Sequence, residues 1–126
     1  MIWGIGTDIV DTKEFQRLLN LNRKNFLDLI LTEKEKSQAN SDKTLTGIFS
    51  AKEAVFKCLN LSASEIKDFN YFKEIEITHL SYGKPEAKFL YSLAHKFPKE
   101  KFKVFVSISY NSHSTTSTAL IETPPR

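Results

Sequence analysis

Residues 44–59 read Thr44-Leu-Thr-Gly-Ile-Phe-Ser-Ala-Lys-Glu-Ala-Val-Phe-Lys-Cys-Leu59. Leu45, Ile48, Phe49, Val55, Phe56 and Leu59 recur near a 3.6-residue period, which predicts one long amphipathic helix. Asn60 and Ser62 end it, and the polar stretch 38–43 precedes it. Glu53 and Lys57 lie four apart and share a face of this helix, the spacing of a surface ion pair. Large apolar residues flank the charged stripe on both sides, so a stripe facing a cleft is the other reading of the same spacing.

Toward the N-terminus, residues 2–10 are rich in Ile and Val and read as a buried strand interrupted by Gly4 and Gly6. The Gly-x-Gly lacks a third glycine and lies inside the apolar run, so it is not a dinucleotide-binding loop. Asp8 sits near the strand's end, either facing water or paired with a cation, because an unpaired carboxylate in an apolar strand is costly. Asp11 or Thr12 caps a helix that carries Phe15, Leu18 and Leu19, and helical character continues through Phe26, Leu27, Leu29 and Ile30. Thr32-Glu-Lys-Glu35 has the form of a capping box.

Toward the C-terminus, residues 74–78 alternate and predict a strand with one wet face. A turn at Tyr82-Gly-Lys-Pro85 follows, then a helix over 87–97. Phe102, Val104, Val106 and Ile108 face one way along a strand over 101–109, and residues 115–122 form its partner, joined through Asn111-Ser-His113. The tail from Thr123 is expected to be loose. The pattern gives a single α+β domain over residues 1–126, a small antiparallel sheet packed with helices, one of them long and central.

Bulk properties narrow the function classes. The chain has 126 residues, 40% hydrophobic and 26% charged, which is ordinary for one globular domain. Its net charge of +3 is compatible with nucleic acid, an acidic protein or a polyanionic small molecule. Cys58 is the single cysteine, which excludes an intramolecular disulfide and points to a reducing compartment. No apolar run reaches the roughly 20 residues of a membrane span, and no signal peptide is read at the N-terminus. A cytoplasmic protein is expected. His79, His95 and His113 show no metal-ligand spacing. The cluster Lys96, Lys99, Lys101 and Lys103 is read as a solvated face, with phosphate binding as the other reading.

Asp8 and the Lys52-Glu53-Ala54 helix together resemble the holo-acyl-carrier-protein synthase family, the short class of phosphopantetheinyl transferases. Its opening pattern, Gly-Ile-Gly-x-Asp-Ile-Val, stands at residues 4–10, and its second, (Trp/Phe)-(Ser/Ala)-Ala-Lys-Glu-Ala-x-x-Lys, at Phe49 to Lys57. Phe26 to Glu35, Gly83-Lys-Pro85 and Val106-Ser-Ile-Ser109 resemble further family segments, in the family's order. The resemblance implies the phosphopantetheinyl transferase fold in a homotrimer, with coenzyme A between subunits. It implies transfer of 4′-phosphopantetheine from coenzyme A to a serine of apo acyl carrier protein. It implies Mg²⁺ held by Asp8 and Glu53, with Lys57 and Glu53 acting on the reacting groups. Lys57, Gly83, Lys84, Pro85, Ser109 and Tyr110 would border coenzyme A. Neither nucleic acid nor membrane is an expected partner.

Four residues depart from the family pattern. Glu14 stands where Arg is common on the helix that meets the carrier protein. Ile48 stands where an Arg usually precedes the aromatic residue, Tyr110 replaces a His, and Tyr82 replaces an Asn. Tyr110 retains a hydroxyl for hydrogen bonding but cannot carry positive charge. Two other functions are weighed against transfer: a non-catalytic relative that binds coenzyme A or a carrier protein, and a nucleic-acid-binding module suggested by the basic balance and the aromatics.

Overall fold

Gly4 and Gly6 decide how the N-terminal strand sits. In the computed structural model, which describes residues 1–79 and 83–125, Ile2–Asp11 forms strand β1 and Asp42–Cys58 forms the long helix α4. The two backbones are nearly in contact. A Cβ added at Gly4 would stand 2.1 Å from the carbonyl oxygen of Cys58, and one at Gly6 would stand 2.2 Å from that of Ala54. No other residue type fits at either position without moving the strand.

β1 pairs antiparallel with β5 (Ser114–Glu122), which pairs antiparallel with β4 (Lys103–Tyr110), so the sheet order is β1-β5-β4. The register sets rows of side chains across the sheet. Gly4–Ile121–Val104, Gly6–Ala119–Val106 and Asp8–Ser117–Ile108 face α4. Ile5–Leu120–Phe105, Thr7–Thr118–Ser107 and Ile9–Thr116–Ser109 form the other face, as the period of two requires. That outer face is largely bare: Ile5 is 63% exposed, Ile9 70% and Phe105 52%.

Three helices link β1 to α4: Thr12–Leu21 (α1), Arg23–Ile30 (α2) and Glu33–Gln38 (α3). Each has a polar cap from the sequence. Asp11 accepts from the amide of Glu14 and Asn22 from that of Asn25, and Thr32 and Glu35 form the full capping box. Ser41 accepts from the amide of Thr44, so α4 starts at Asp42, three residues before the first apolar position, Leu45. After α4 come α5 (Ala63–Ile66), α6 (Tyr71–Glu74), β2 (Ile75–His79), β3 (Pro85–Phe89) and α7 (Tyr91–Lys96). β2 and β3 form a separate antiparallel pair.

Two expectations fail in this second half. Residues 87–97 are not one helix. Ala87 to Phe89 belong to β3, because β2 needs an antiparallel partner and Glu86 and Lys88 alternate outward against buried Ala87. The helix begins only at Tyr91, where Leu93 donates its amide to Glu74 Oε1 at 3.1 Å. Strand β2 has no wet face at its start. Ile75, Glu76 and Ile77 are all buried, since α3 covers the face that alternation assigns to water. Glu76 Oε2 accepts from the Thr32 hydroxyl at 2.7 Å.

The element that ties these parts together is a buried ion pair. Lys52 and Glu35 are fully enclosed, with Nζ 2.5 Å from Oε1. Lys52 also donates to the Ile30 carbonyl at 2.7 Å and to the Phe72 carbonyl. Glu35 accepts from the amides of Thr32 and Ile77. Burial pushes Glu35 up and Lys52 down from their ordinary values, and each partner opposes the other's shift. Such a pair contributes little beyond an apolar one, but breaking it strands a charge. Lys52→Met is therefore expected to cost about 3–5 kcal/mol in urea unfolding. A loss below about 1 kcal/mol would mean that the pair does not hold the helices together. Gly6→Ala, which overpacks β1 against α4, is expected to cost about 1–3 kcal/mol by the same measurement.

Candidate active site

Asp8 belongs to the inner row of β1, and one turn-spacing on α4 brings Glu53 and Lys57 to the same end of the sheet. Lys57 Nζ donates to the Thr7 carbonyl at 2.8 Å and lies 3.5 Å from Asp8 Oδ1. The ion pair between Glu53 and Lys57 allowed by their spacing does not form. Lys57 pairs with Asp8 instead, because β1 lies closer to its ammonium group. The cleft-facing reading holds for Glu53 and not for Lys57: Asp8 and Glu53 line one hollow of about 240 Å³, with Asp11, Glu14 and Phe49, while Lys57 is half exposed beside it.

The electrostatics are unbalanced. Asp8 Oδ2 is buried and has no hydrogen-bond partner among the described residues, as is true of its cross-strand neighbour Ser117 Oγ and of Ser50 Oγ on α4. Burial holds the Glu53 carboxyl above its ordinary range, and the charge of Asp8 adds to that shift. The Tyr71 hydroxyl donates to Glu53 Oε1 at 2.9 Å and works the other way, together with the charge of Lys57. Two carboxylates, one of them with an unsatisfied buried oxygen, form a hard-oxygen donor set of the kind that suits Mg²⁺. Among the described residues no group of three or more His, Cys, Asp or Glu side chains could hold a metal ion. A cation here would take two protein carboxylates and draw its other ligands from phosphate or water.

Tyr71 was not visible in the sequence as a site residue. It lies 18 positions from Glu53, and only the packing of α6 on α4 brings the two together.

The residues expected to border coenzyme A do not join this hollow within one chain. Lys84 and Pro85 line another, of about 420 Å³, on the outer face of the sheet with Phe105, Ser107 and Thr118. Gly83 takes a positive φ of 86°, the conformation that favours glycine in the expected turn. Ser109 is exposed on β4. Tyr110 faces α4: its hydroxyl occupies the space a side chain at Gly47 would need, and Lys43 Nζ stands 4.8 Å from its ring. Ile48 is fully buried in the core. Tyr82 lies outside the described residues. Glu14 is exposed and pairs with Arg17 one turn along α1, so its negative charge is offset locally.

Of the features that suggested nucleic acid, three aromatics and one lysine are otherwise engaged, while Lys99, Lys101 and Lys103 are exposed as in a solvated face. Trp3, Phe97 and Phe102 pack edge to face on one another, at 5.0 Å between Phe97 and Phe102 and 5.4 Å between Trp3 and Phe102, so they are not free platforms for bases. Lys96 pairs with Glu65 at 2.6 Å. Among the described residues no helix is long and apolar enough to cross a membrane.

Comparison with known proteins agrees with this geometry. The family model of the 4′-phosphopantetheinyl transferase superfamily matches residues 4–116. A holo-[acyl-carrier-protein] synthase of Clostridium botulinum (strain Eklund 17B) is 34% identical over 126 residues, covering 97% of this chain and 98% of its own length. One from Caldanaerobacter subterraneus is 37% identical over 122 residues, covering 92% and 91%. The crystal structure of the enzyme from Neisseria meningitidis superposes with a TM-score of 0.82 at 30% identity, covering 97% of this chain and 99% of that one. A structure from Bacillus anthracis, described as a complex with coenzyme A (3′,5′-ADP), gives a TM-score of 0.78 at 26% identity, covering 98% and 99%. A chain that carries both signatures on this fold, and matches these relatives nearly end to end, belongs to the holo-[acyl-carrier-protein] synthase family of the 4′-phosphopantetheinyl transferase superfamily.

Proposed function

We propose that this protein transfers 4′-phosphopantetheine from coenzyme A to a serine hydroxyl of apo acyl carrier protein, with Asp8, Glu53 and Lys57 as the reacting centre. The observation that carries the reading is the buried, unpartnered Asp8 Oδ2 beside Glu53 and Lys57. Asp8 and Glu53 would hold Mg²⁺, which neutralises charge on the pyrophosphate when bound.

The chain's own groups account for the rest. The serine oxygen forms a bond to the β-phosphorus, and the bond from that phosphorus to the bridging oxygen breaks. Adenosine 3′,5′-bisphosphate leaves with the bridging oxygen. Glu53 helps remove the serine proton, a role open to a carboxylate that stands at the reacting centre. Lys57, anchored by the Thr7 carbonyl and half exposed, stabilises charge on the phosphate.

Coenzyme A is read as lying between subunits of a homotrimer. Two features support this. The outer face of the three-stranded sheet leaves Ile5, Ile9 and Phe105 uncovered. The hollow of Lys84 and Pro85 opens on that same face, away from the carboxylates of its own chain. Gly83 and Ser109 belong to this nucleotide region in the same reading, and Tyr110 would border coenzyme A from the α4 side of the sheet, beside Lys43 and Thr46. The carrier would approach α1, where Lys13 and Arg17 are exposed beside the apolar Leu18 and Leu21. The net charge of +3 suits an acidic carrier. Buried Cys58, the single cysteine, agrees with a cytoplasmic setting.

The test is the intact mass of an apo acyl carrier protein incubated with this protein, coenzyme A and Mg²⁺. The expected result is a gain equal to one phosphopantetheine arm, abolished by EDTA. No gain with any of several carriers, including one from the same organism, would leave a binding role without turnover. Asp8→Ala and Glu53→Ala are each expected to remove the gain while the protein keeps its fold by circular dichroism. Full activity in either variant would refute the metal assignment. Glu14→Arg is expected to raise kcat/KM with an acidic carrier by roughly threefold to tenfold at low salt, and the gain should fade as salt screens it. An unchanged rate would remove Glu14 from the docking surface.

A further inference from the structure

Tyr71 opens α6, and its ring is clamped between two others. Its centroid lies 4.1 Å from that of Phe56 and 4.3 Å from that of Phe72. Phe72 in turn stacks on Phe49, which packs against Phe15 and Phe26, so one aromatic ladder runs from α1 and α2 across α4 to α6. The backbone of α6 is equally fixed. Lys52 donates to the Phe72 carbonyl, Lys73 donates to the Leu31 carbonyl, and Glu74 Oε2 accepts from the amide of Asn70 at 2.7 Å. A phenylalanine would satisfy every packing contact of this ring. The hydroxyl adds one thing, a hydrogen bond to Glu53 Oε1 at 2.9 Å in a half-buried setting.

We infer that Tyr71 is a positioning residue for the metal-binding carboxylate: its hydroxyl holds Oε1 of Glu53 and so commits the other oxygen to the cation. The inference rests on the metal reading proposed above. A glutamate on a helix surface has three side-chain torsions to fix before it can act as a ligand. Here a rigid donor fixes them in advance, through a ring that cannot swing. Partners that orient a ligand in this way commonly govern metal affinity as strongly as the ligands themselves. The arrangement also joins two features of one helix. Lys52 secures α6 from inside the core, and α6 secures Glu53, the next residue along α4, from outside it.

The experiment is a Mn²⁺ titration followed by electron paramagnetic resonance, with coenzyme A present at saturation. It compares wild type, Tyr71→Phe and Asp8→Ala. The phenylalanine keeps the stack on Phe56 and Phe72, so the variant folds. Tyr71→Phe is expected to bind Mn²⁺ roughly tenfold more weakly than wild type, with Asp8→Ala losing the site. A purely structural hydroxyl would lower the melting temperature and leave Mn²⁺ affinity alone. Equal affinity in Tyr71→Phe and wild type, with Asp8→Ala impaired, would overturn the inference and leave the metal reading standing. Absence of Mn²⁺ binding in wild type, or unimpaired binding in Asp8→Ala, would overturn the metal reading and the inference with it.

Discussion

The contact between β1 and α4 is the constraint on which the rest of the structure depends. Strand and helix backbones meet at Gly4 over Cys58 and at Gly6 over Ala54, at separations that leave no room for a methyl group. Two residues beyond Gly6 on the same face comes Asp8, and beside Ala54 on the helix comes Glu53. Close approach of the backbones therefore brings the two carboxylates to one hollow. The period of two fixes which side Asp8 takes. A slip of one residue would turn it to the outer face and turn Ile9 inward. The pairing of β1 with β5 prevents that slip through nine register positions from Ile2 to Asp11.

Two adjacent residues of α4 show how one helix serves both stability and chemistry. Lys52 points into the core, where Glu35 and the carbonyls of Ile30 and Phe72 satisfy it completely. Glu53 points to the hollow, where Tyr71 satisfies one of its oxygens. Asp8, on the same hollow, retains a buried oxygen with no hydrogen-bond partner among the described residues. Interiors seldom leave a carboxylate oxygen in that state without a reason. The proposed divalent cation would supply one, and it would also relieve the repulsion from Asp8 that adds to the rise burial gives the Glu53 carboxyl.

Much of this was legible in the sequence, for identifiable reasons. The long helix, β1, β4, β5 and the capping box of Thr32 and Glu35 all carry local signals that tertiary packing reinforces. The pairing of Asp8, Glu53 and Lys57 was carried by the two family signatures, since spacing alone also allowed an ordinary ion pair between Glu53 and Lys57. What the sequence concealed was set by long-range packing. Glu76 alternates as a water-facing residue, yet α3 buries it and Thr32 satisfies it. Residues 87–89 pass for the start of a helix until β2 claims them as its partner. Tyr71 carries no local signal, and its hydroxyl meets Glu53 only when α6 docks on α4.

The proposal that Asp8 and Glu53, brought to one hollow beside the glycine contact, share one divalent cation is open to direct observation. Anomalous diffraction from crystals grown with Mn²⁺ and coenzyme A tests it most directly. A single strong peak is expected about 2 Å from an oxygen of each carboxylate, the distance at which such oxygens bind a small divalent cation. A peak elsewhere, with Asp8 Oδ2 still unpartnered, would contradict it.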